Sequence, residues 1–174
     1  MLETTPSQTA GPYFAIGLTR QPAWAELVEP GSEGAVEIVG RVLDGAGDGV
    51  PDALVEIWQA DADGVYRTDW GWARCGADES GDYRLVTVKP GKVADDAGTL
   101  QAPHLTMLVF ARGLLKQVQT RMYFPDEEEA NEADPILAAL EPSERAALVA
   151  SAEDGVLRFD VRLQGDEQTP FFAL

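Results

Sequence analysis

The sequence predicts an all-β fold: a β-sandwich of mostly antiparallel strands, with an extended N-terminal arm and a short helical insertion. Three observations predict it. Six or more short runs alternate apolar and polar residues with period two. Clusters of Asp, Gly and Pro separate those runs. One segment near the C-terminal end carries the only helical spacing.

Residues 1–33 read as arm and linker, and residues 34–174 as the sandwich domain. Thr5-Pro6-Ser7-Gln8-Thr9-Ala10-Gly11-Pro12-Tyr13-Phe14 has no helical period, and Gly11-Pro12 restricts the backbone and removes a donor. An extended arm is expected. Exposing Tyr13, Phe14 and Ile16 would cost about 25 cal/mol per Å² of apolar area, so the arm should lie on its own domain or, preferably, on a partner. Met1 to Ser7 lacks a basic stretch followed by an apolar one, and no signal peptide is expected.

Strands follow in order. Val36–Leu43, Ala53–Trp58, Tyr83–Val88, Leu105–Phe110, Val118–Phe124 and Val156–Leu163 all alternate. In the last, Leu157, Phe159, Val161 and Leu163 share a face opposite Arg158, Asp160 and Arg162, the pattern of a half-buried antiparallel strand. Asp44–Gly49, Asp61–Gly64 and Lys89-Pro90-Gly91 are turns. Trp58 is expected in the core, and Trp70 and Trp72 in a loop at an interface. Asp126–Glu129 is a solvated loop or a helix start. From Asp134 to Ala150, Ile136, Leu137, Leu140, Ala147, Leu148 and Val149 predict helical cover, with Pro142 dividing a short turn from a helix.

Composition excludes several functions. The chain has 174 residues, 45% of them hydrophobic, and a formal net charge of −17. That balance argues against nucleic acid and against anionic membrane surfaces. A small anionic substrate stays open, because charges beyond about 8 Å are screened at physiological salt and one local Arg can prevail. No apolar run approaches the roughly 20 residues that span a bilayer. A single cysteine, Cys75, makes no internal disulfide, is expected to be inert, and fits a cytoplasmic setting.

His104 is the only histidine. On a strand it shares its face with Thr106, a poor metal ligand. A metal site needs three or four convergent donors, and one His, one Cys and scattered tyrosines do not supply them. The stretch reads as a metal-binding strand that has lost part of its ligand set, so the chain would help a catalyst rather than be one.

Four stretches carry a resemblance: Thr5 to Tyr13, Val55-Glu56-Ile57-Trp58-Gln59-Ala60-Asp61, Thr87-Val88-Lys89-Pro90-Gly91, and Ala102-Pro103-His104 with Thr120-Arg121-Met122-Tyr123-Phe124. In this order they resemble the intradiol ring-cleavage dioxygenases over nearly the whole chain, and among them the non-catalytic chain of a two-chain enzyme. Catalytic chains of that family hold Fe(III) with two tyrosines and two histidines. The resemblance puts Tyr66 at the first tyrosine, Val93 at the second, His104 at the first histidine and Thr106 at the second. Gln101 stands where catalytic chains have an arginine.

It therefore implies vestigial positions here, with no metal held by this chain and the Fe(3+) carried by a partner beta chain. It also implies a higher hetero-oligomer of alpha-beta pairs and a substrate, 3,4-dihydroxybenzoate, cleaved with O2 to 3-carboxy-cis,cis-muconate. Thr9, Gly11, Pro12, Tyr13 and Arg112 would reach the partner's site, where a guanidinium suits a carboxylate. Residue by residue, His104 and Tyr66 read more simply as structural groups, and Arg112 reads equally well as a surface ion pair. Two other readings compete. A transthyretin-like interaction module would lack the Thr-Pro-Ser-Gln-Thr-Ala-Gly-Pro-Tyr arm, and a self-sufficient dioxygenase would need donors at Val93 and Thr106.

Overall fold

A computed structural model describes residues 4–173, and the side chain of Pro12 lies outside that description. The strands are β1 (Ala35–Leu43), β2 (Leu54–Trp58), β3 (Trp72–Gly76), β4 (Asp82–Val88), β5 (Val93–Ala94), β6 (Leu100–Gln101), β7 (His104–Phe110), β8 (Val118–Tyr123), β9 (Ser151–Glu153), β10 (Val156–Arg158) and β11 (Val161–Arg162). One sheet is ordered β11-β1-β10-β9, with β4 also paired to β1; the other is β3-β2-β7-β8. The strands β5 and β6 form a separate hairpin. Period-two alternation turns Ile38, Val42 and Leu85 of the first sheet toward Val55, Ile57, Leu105, Met107, Val109 and Met122 of the second, and all are buried.

Four turns repeat one chemistry. In Asp44–Asp48, Asp61–Val65, Asp78–Asp82 and Asp95–Thr99, the leading Asp Oδ1 accepts the amides two and four residues on, at 2.8–3.0 Å. The fourth residue is Gly47, Gly64, Gly81 or Gly98, with φ between +78° and +85°, a region a side chain disfavours.

Three expectations need correction. First, Val156–Leu163 is not one antiparallel strand. It breaks between β10 and β11, and both pieces run parallel to β1. At the break, Tyr83 donates its hydroxyl to Phe159 O (2.5 Å) and the Asp160 carboxylate accepts the Arg41 amide (2.9 Å). Gly40 leaves the space, since a Cβ there would lie 1.8 Å from Phe159 O. Phe159 and Val161 are buried as the alternation requires. Periodicity fixes the face of a strand, not its partner's direction.

Second, Pro12–Leu18 is a short helix, α1, within the arm. Pro12 opens it, Gly11 precedes it in extended conformation, and Thr19 Oγ1 donates to Ala15 O (2.8 Å) at its end. A helix this short has no stability of its own. It forms because Phe14 packs on Phe110, with ring centroids 5.4 Å apart, and Ala15 is buried. Third, Trp58 is 37% exposed rather than core, and Trp72 opens β3 rather than lying in a loop. The Arg74 guanidinium sits 4.8 Å from the Trp72 ring centroid and 6.0 Å from that of Trp24, pinning the linker to the sandwich.

The helical insertion is α2 (Glu128–Ala133), α3 (Pro135–Ala138) and α4 (Pro142–Ala147). Pro142 opens α4, and the Glu144 carboxylate accepts the Glu141 amide (3.1 Å). Ala130, Leu137 and Leu148 of this insertion cluster with Ala102 and Tyr123, covering the His104 end of β7 and β8.

Candidate functional site

Two of the quoted stretches are locked together. Gln59 is fully buried and spans the sheets: its amide donates to Val88 O (3.0 Å) and Ala60 O (3.1 Å), and it accepts from Thr87 Oγ1 (2.6 Å). The Gly91 amide donates to Asp61 O (2.8 Å). A Cβ on Gly64 would lie 2.1 Å from Lys92 O, so only glycine allows this approach. The contact sets Tyr66, just after the first turn, and Val93, just after the second, on neighbouring segments. Tyr66 stacks on Trp58 with centroids 5.9 Å apart and planes 9° apart, and it remains 41% exposed. It lies outside the strands of either sheet.

At the first end of β7, His104 is buried, 3% exposed. Its Nδ1 lies 2.8 Å from Ala102 O. A carbonyl only accepts, so the ring proton is on Nδ1 and Nε2 carries a lone pair. Nε2 is buried and has no hydrogen-bond partner among the described residues. Burial, then the nearby Arg121 charge, pushes the imidazole down to about 4, so it is neutral near pH 7. Across the ladder, Tyr123 faces His104 and Arg121 faces Thr106, so all four side chains share the outer face of the sheet. Arg121 Nη1 donates to Gln101 Oε1 (3.1 Å) and to the Tyr123 hydroxyl oxygen (3.4 Å). Tyr123 OH in turn donates to Asp134 Oδ1 (3.3 Å).

Asp134 is fully buried and also accepts the amides of Ala102 (2.9 Å), Ile136 (2.9 Å) and Leu137 (3.0 Å). It caps α3 and ties it to the segment that holds His104. Sequence reasoning passed over Asp134 and gave Arg121 no role. The Asp before Pro135 is a helix-start signal that could have found the first, and the strand pairing could have found the second.

At the opposite end of β7, the arm meets the β7–β8 turn. The Gly113 amide donates to Thr9 Oγ1 (2.8 Å). A cleft of about 350 Å³ is lined by Gln8, Thr9, Gly11, Phe14, Phe110 and Leu115, among others. A smaller recess of about 100 Å³ is lined by Ala10, Gly11, Asp52 and Arg112. Thr9, Gly11 and Arg112 are therefore neighbours. Arg112 is exposed, 3.6 Å from Asp52 and within 3.4 Å of Pro51 O, a weak pairing. Tyr13 points away, 84% exposed, and the Pro12 side chain is outside the described residues. Cys75 is buried and its thiol is pushed up to about 12 by burial, so it stays protonated and unreactive.

A family model described as "Dioxygenase" matches residues 9–165. The chain is 40% identical over 195 residues to the protocatechuate 3,4-dioxygenase alpha chain of Pseudomonas putida, covering 99% of this chain and 97% of that one. The chain belongs to the intradiol dioxygenase family. The corresponding alpha chain of Burkholderia cepacia is 42% identical, with 98% of each chain covered. The beta chain of the B. cepacia enzyme is also related, 32% identical over 157 residues, which is 78% of this chain and 66% of that one. Among solved structures, the dioxygenase domain of a carbohydrate-binding fusion protein from Streptomyces sp. SirexAA-E shares the fold. Its TM-score is 0.63 at 24% identity, with 92% of this chain and 99% of that chain covered.

Intradiol dioxygenases call for ferric iron, and the residues at the ligand positions do not fit it. Tyr66 offers a phenol that burial raises above its usual range, against the pull of Arg121. His104 offers one imidazole nitrogen, Val93 offers no donor, and Thr106 offers only a hydroxyl. Two donors, one of them held protonated, fall short of a ferric ion's needs. Among the described residues no three His, Cys, Asp or Glu side chains gather into an alternative cluster.

Proposed function

We propose that this chain is the alpha-type, iron-free subunit of a protocatechuate 3,4-dioxygenase. The enzyme cleaves 3,4-dihydroxybenzoate with O2 to 3-carboxy-cis,cis-muconate. The ferric ion would be held by a beta-type partner chain, to which it would supply Lewis-acid chemistry. The observation that carries the reading is the split between the two ends of β7. Where the family's ligands belong, Val93 and Thr106 leave the donor set incomplete. At the other end, Thr9, Gly11 and Arg112 come together beside an exposed apolar face.

Each residue has a task. Arg112 would bind the substrate carboxylate, for which its fork of donors is matched; its present partner, Asp52, is exposed and easily exchanged. Gly11 and Pro12 would form a wall that brings backbone close to the ring without side-chain bulk. Thr9 holds the arm to the β7–β8 turn. Tyr13 and Ile16, 84% and 52% exposed, turn outward with Leu115 at 64%, and a partner chain would remove this apolar area from water. Residues 1–33 thus act as an arm and 34–174 as the sandwich, in a hetero-oligomer of alpha-beta pairs placed in the cytoplasm. Among the described residues no helix is long and apolar enough to cross a membrane.

The test is co-purification. Expressed alone, the chain should take up little iron and show no turnover; expressed with a beta-type partner, it should yield an active, coloured complex. Stoichiometric iron with turnover in the lone chain would overturn the proposal.

A further inference from the structure

The closed end of β7 holds a contradiction that the missing ligands alone do not resolve. His104 Nε2 is buried, unprotonated and without a hydrogen-bond partner among the described residues. A buried lone pair that no protein donor meets is costly unless a positive charge offsets it. The nearest candidate is Arg121. It stands opposite Thr106 on β8, on the same face as His104, and its guanidinium reaches Gln101. Gln101 is itself paired with Val93 across the β5–β6 hairpin. One cation thus spans the strand pair and hairpin that carry Val93, His104 and Thr106.

Its hydrogen-bonding partners there are neutral: the Gln101 carbonyl and the Tyr123 hydroxyl. The Tyr123 hydroxyl leads on to the Asp134 carboxylate, which is itself occupied by three backbone amides. The positive charge is therefore directed at the former donor set rather than cancelled by an ion pair.

We propose that Arg121 is the chain's own substitute for a metal ion: a fixed guanidinium that faces the remnant donors and bars a metal cation from them. The site is then not merely short of ligands. It is occupied by charge, and restoring ligands alone does not reopen it. This rests on the reading that the chain leaves iron to its partner.

Full-length chains carrying Val93→Tyr and Thr106→His test it, with Arg121 kept, changed to Gln, or changed to Lys. Ferric iron is offered to each purified chain, and bound iron is measured together with the visible tyrosinate-to-iron absorption. The expected result is at least tenfold more iron per chain in the Arg121→Gln background than in the other two. Equal iron in the Gln and Arg backgrounds, whether high or low, overturns the proposal, and so does iron uptake by the Lys variant to match Gln. The single variant Arg121→Gln gives an independent reading with Zn2+ as the probe. The His104 ring resonances, unambiguous because the chain has one histidine, should move with millimolar Zn2+ in the variant and not in the parent. The same response in both overturns it. Iron uptake by the unaltered chain would instead sink the underlying reading of an iron-free subunit.

Discussion

The two ends of β7 face opposite tasks. His104 and Arg112 are eight residues apart, about 26 Å along an extended strand. At the His104 end, side chains are buried, helices cover the sheet, and polar groups form a closed chain from Arg121 through Tyr123 to Asp134. At the Arg112 end, side chains are exposed, clefts are open, and the arm is held by Phe14 and one hydroxyl. The lesson is that a site can survive as architecture after losing its chemistry, while chemistry can rest on residues that contribute little to stability. Disturbing the first end should unfold the protein; disturbing the second should change what it does.

The largest effect is expected at Asp134. Asp134→Ala strands two buried amides, one half-buried amide and the Tyr123 hydroxyl, and should cost about 4 kcal/mol in urea unfolding. A loss below about 1 kcal/mol would mean that the closed end is not held by this carboxylate.

Next comes pH. His104 binds its proton only near pH 4 when folded, against 6.5 when unfolded. Between those values the unfolded chain holds more protons, so this contribution is complete above pH 6.5 and is lost as pH falls through 4. It amounts to about 3 kcal/mol in total, of which about 2 is gone at pH 5. Urea unfolding of the parent and of His104→Phe at pH 7 and pH 5 isolates it; parallel losses in both would assign the pH dependence elsewhere.

At the open end, Arg112→Ala should change stability by no more than about 0.5 kcal/mol. In the assembled enzyme it should raise KM about tenfold, the value of one charge-assisted bond. An unchanged KM would reduce Arg112 to a partner of Asp52. The smallest effect belongs to Thr9→Val, which removes the hydroxyl bound by Gly113. Global unfolding should stay within about 1 kcal/mol, while limited proteolysis before Gly11 speeds up. Unchanged cleavage would show that Phe14 alone anchors the arm.

Much of this contrast was legible in the residues. Alternation marked β1, β2, β4, β7 and β8 because a half-buried strand must put apolar groups on one side, and Pro142 marked the start of α4 because its fixed φ suits a first helical turn. That Val93 offers no donor and Thr106 only a hydroxyl was legible because ligation depends on atoms that a side chain has or lacks. Other features were hidden. α1 depends on Phe110, β3 on its pairing to β2, and the parallel course of β10 and β11 on space above Gly40. Arg121 could be named as part of a motif, but its role depends on which strand lies beside β7.

Sequence by itself determined which side chains can donate, accept, carry charge or resist water, and so gave the expectation that this chain holds no iron. Tertiary structure alone decided which of them meet. It buried His104 Nε2, set Arg121 on the same face of the sheet, and drew Thr9, Gly11 and Arg112 together. The physical reason is that local patterns act over a few bonds, whereas burial and the company of charges are set by segments far apart in the chain.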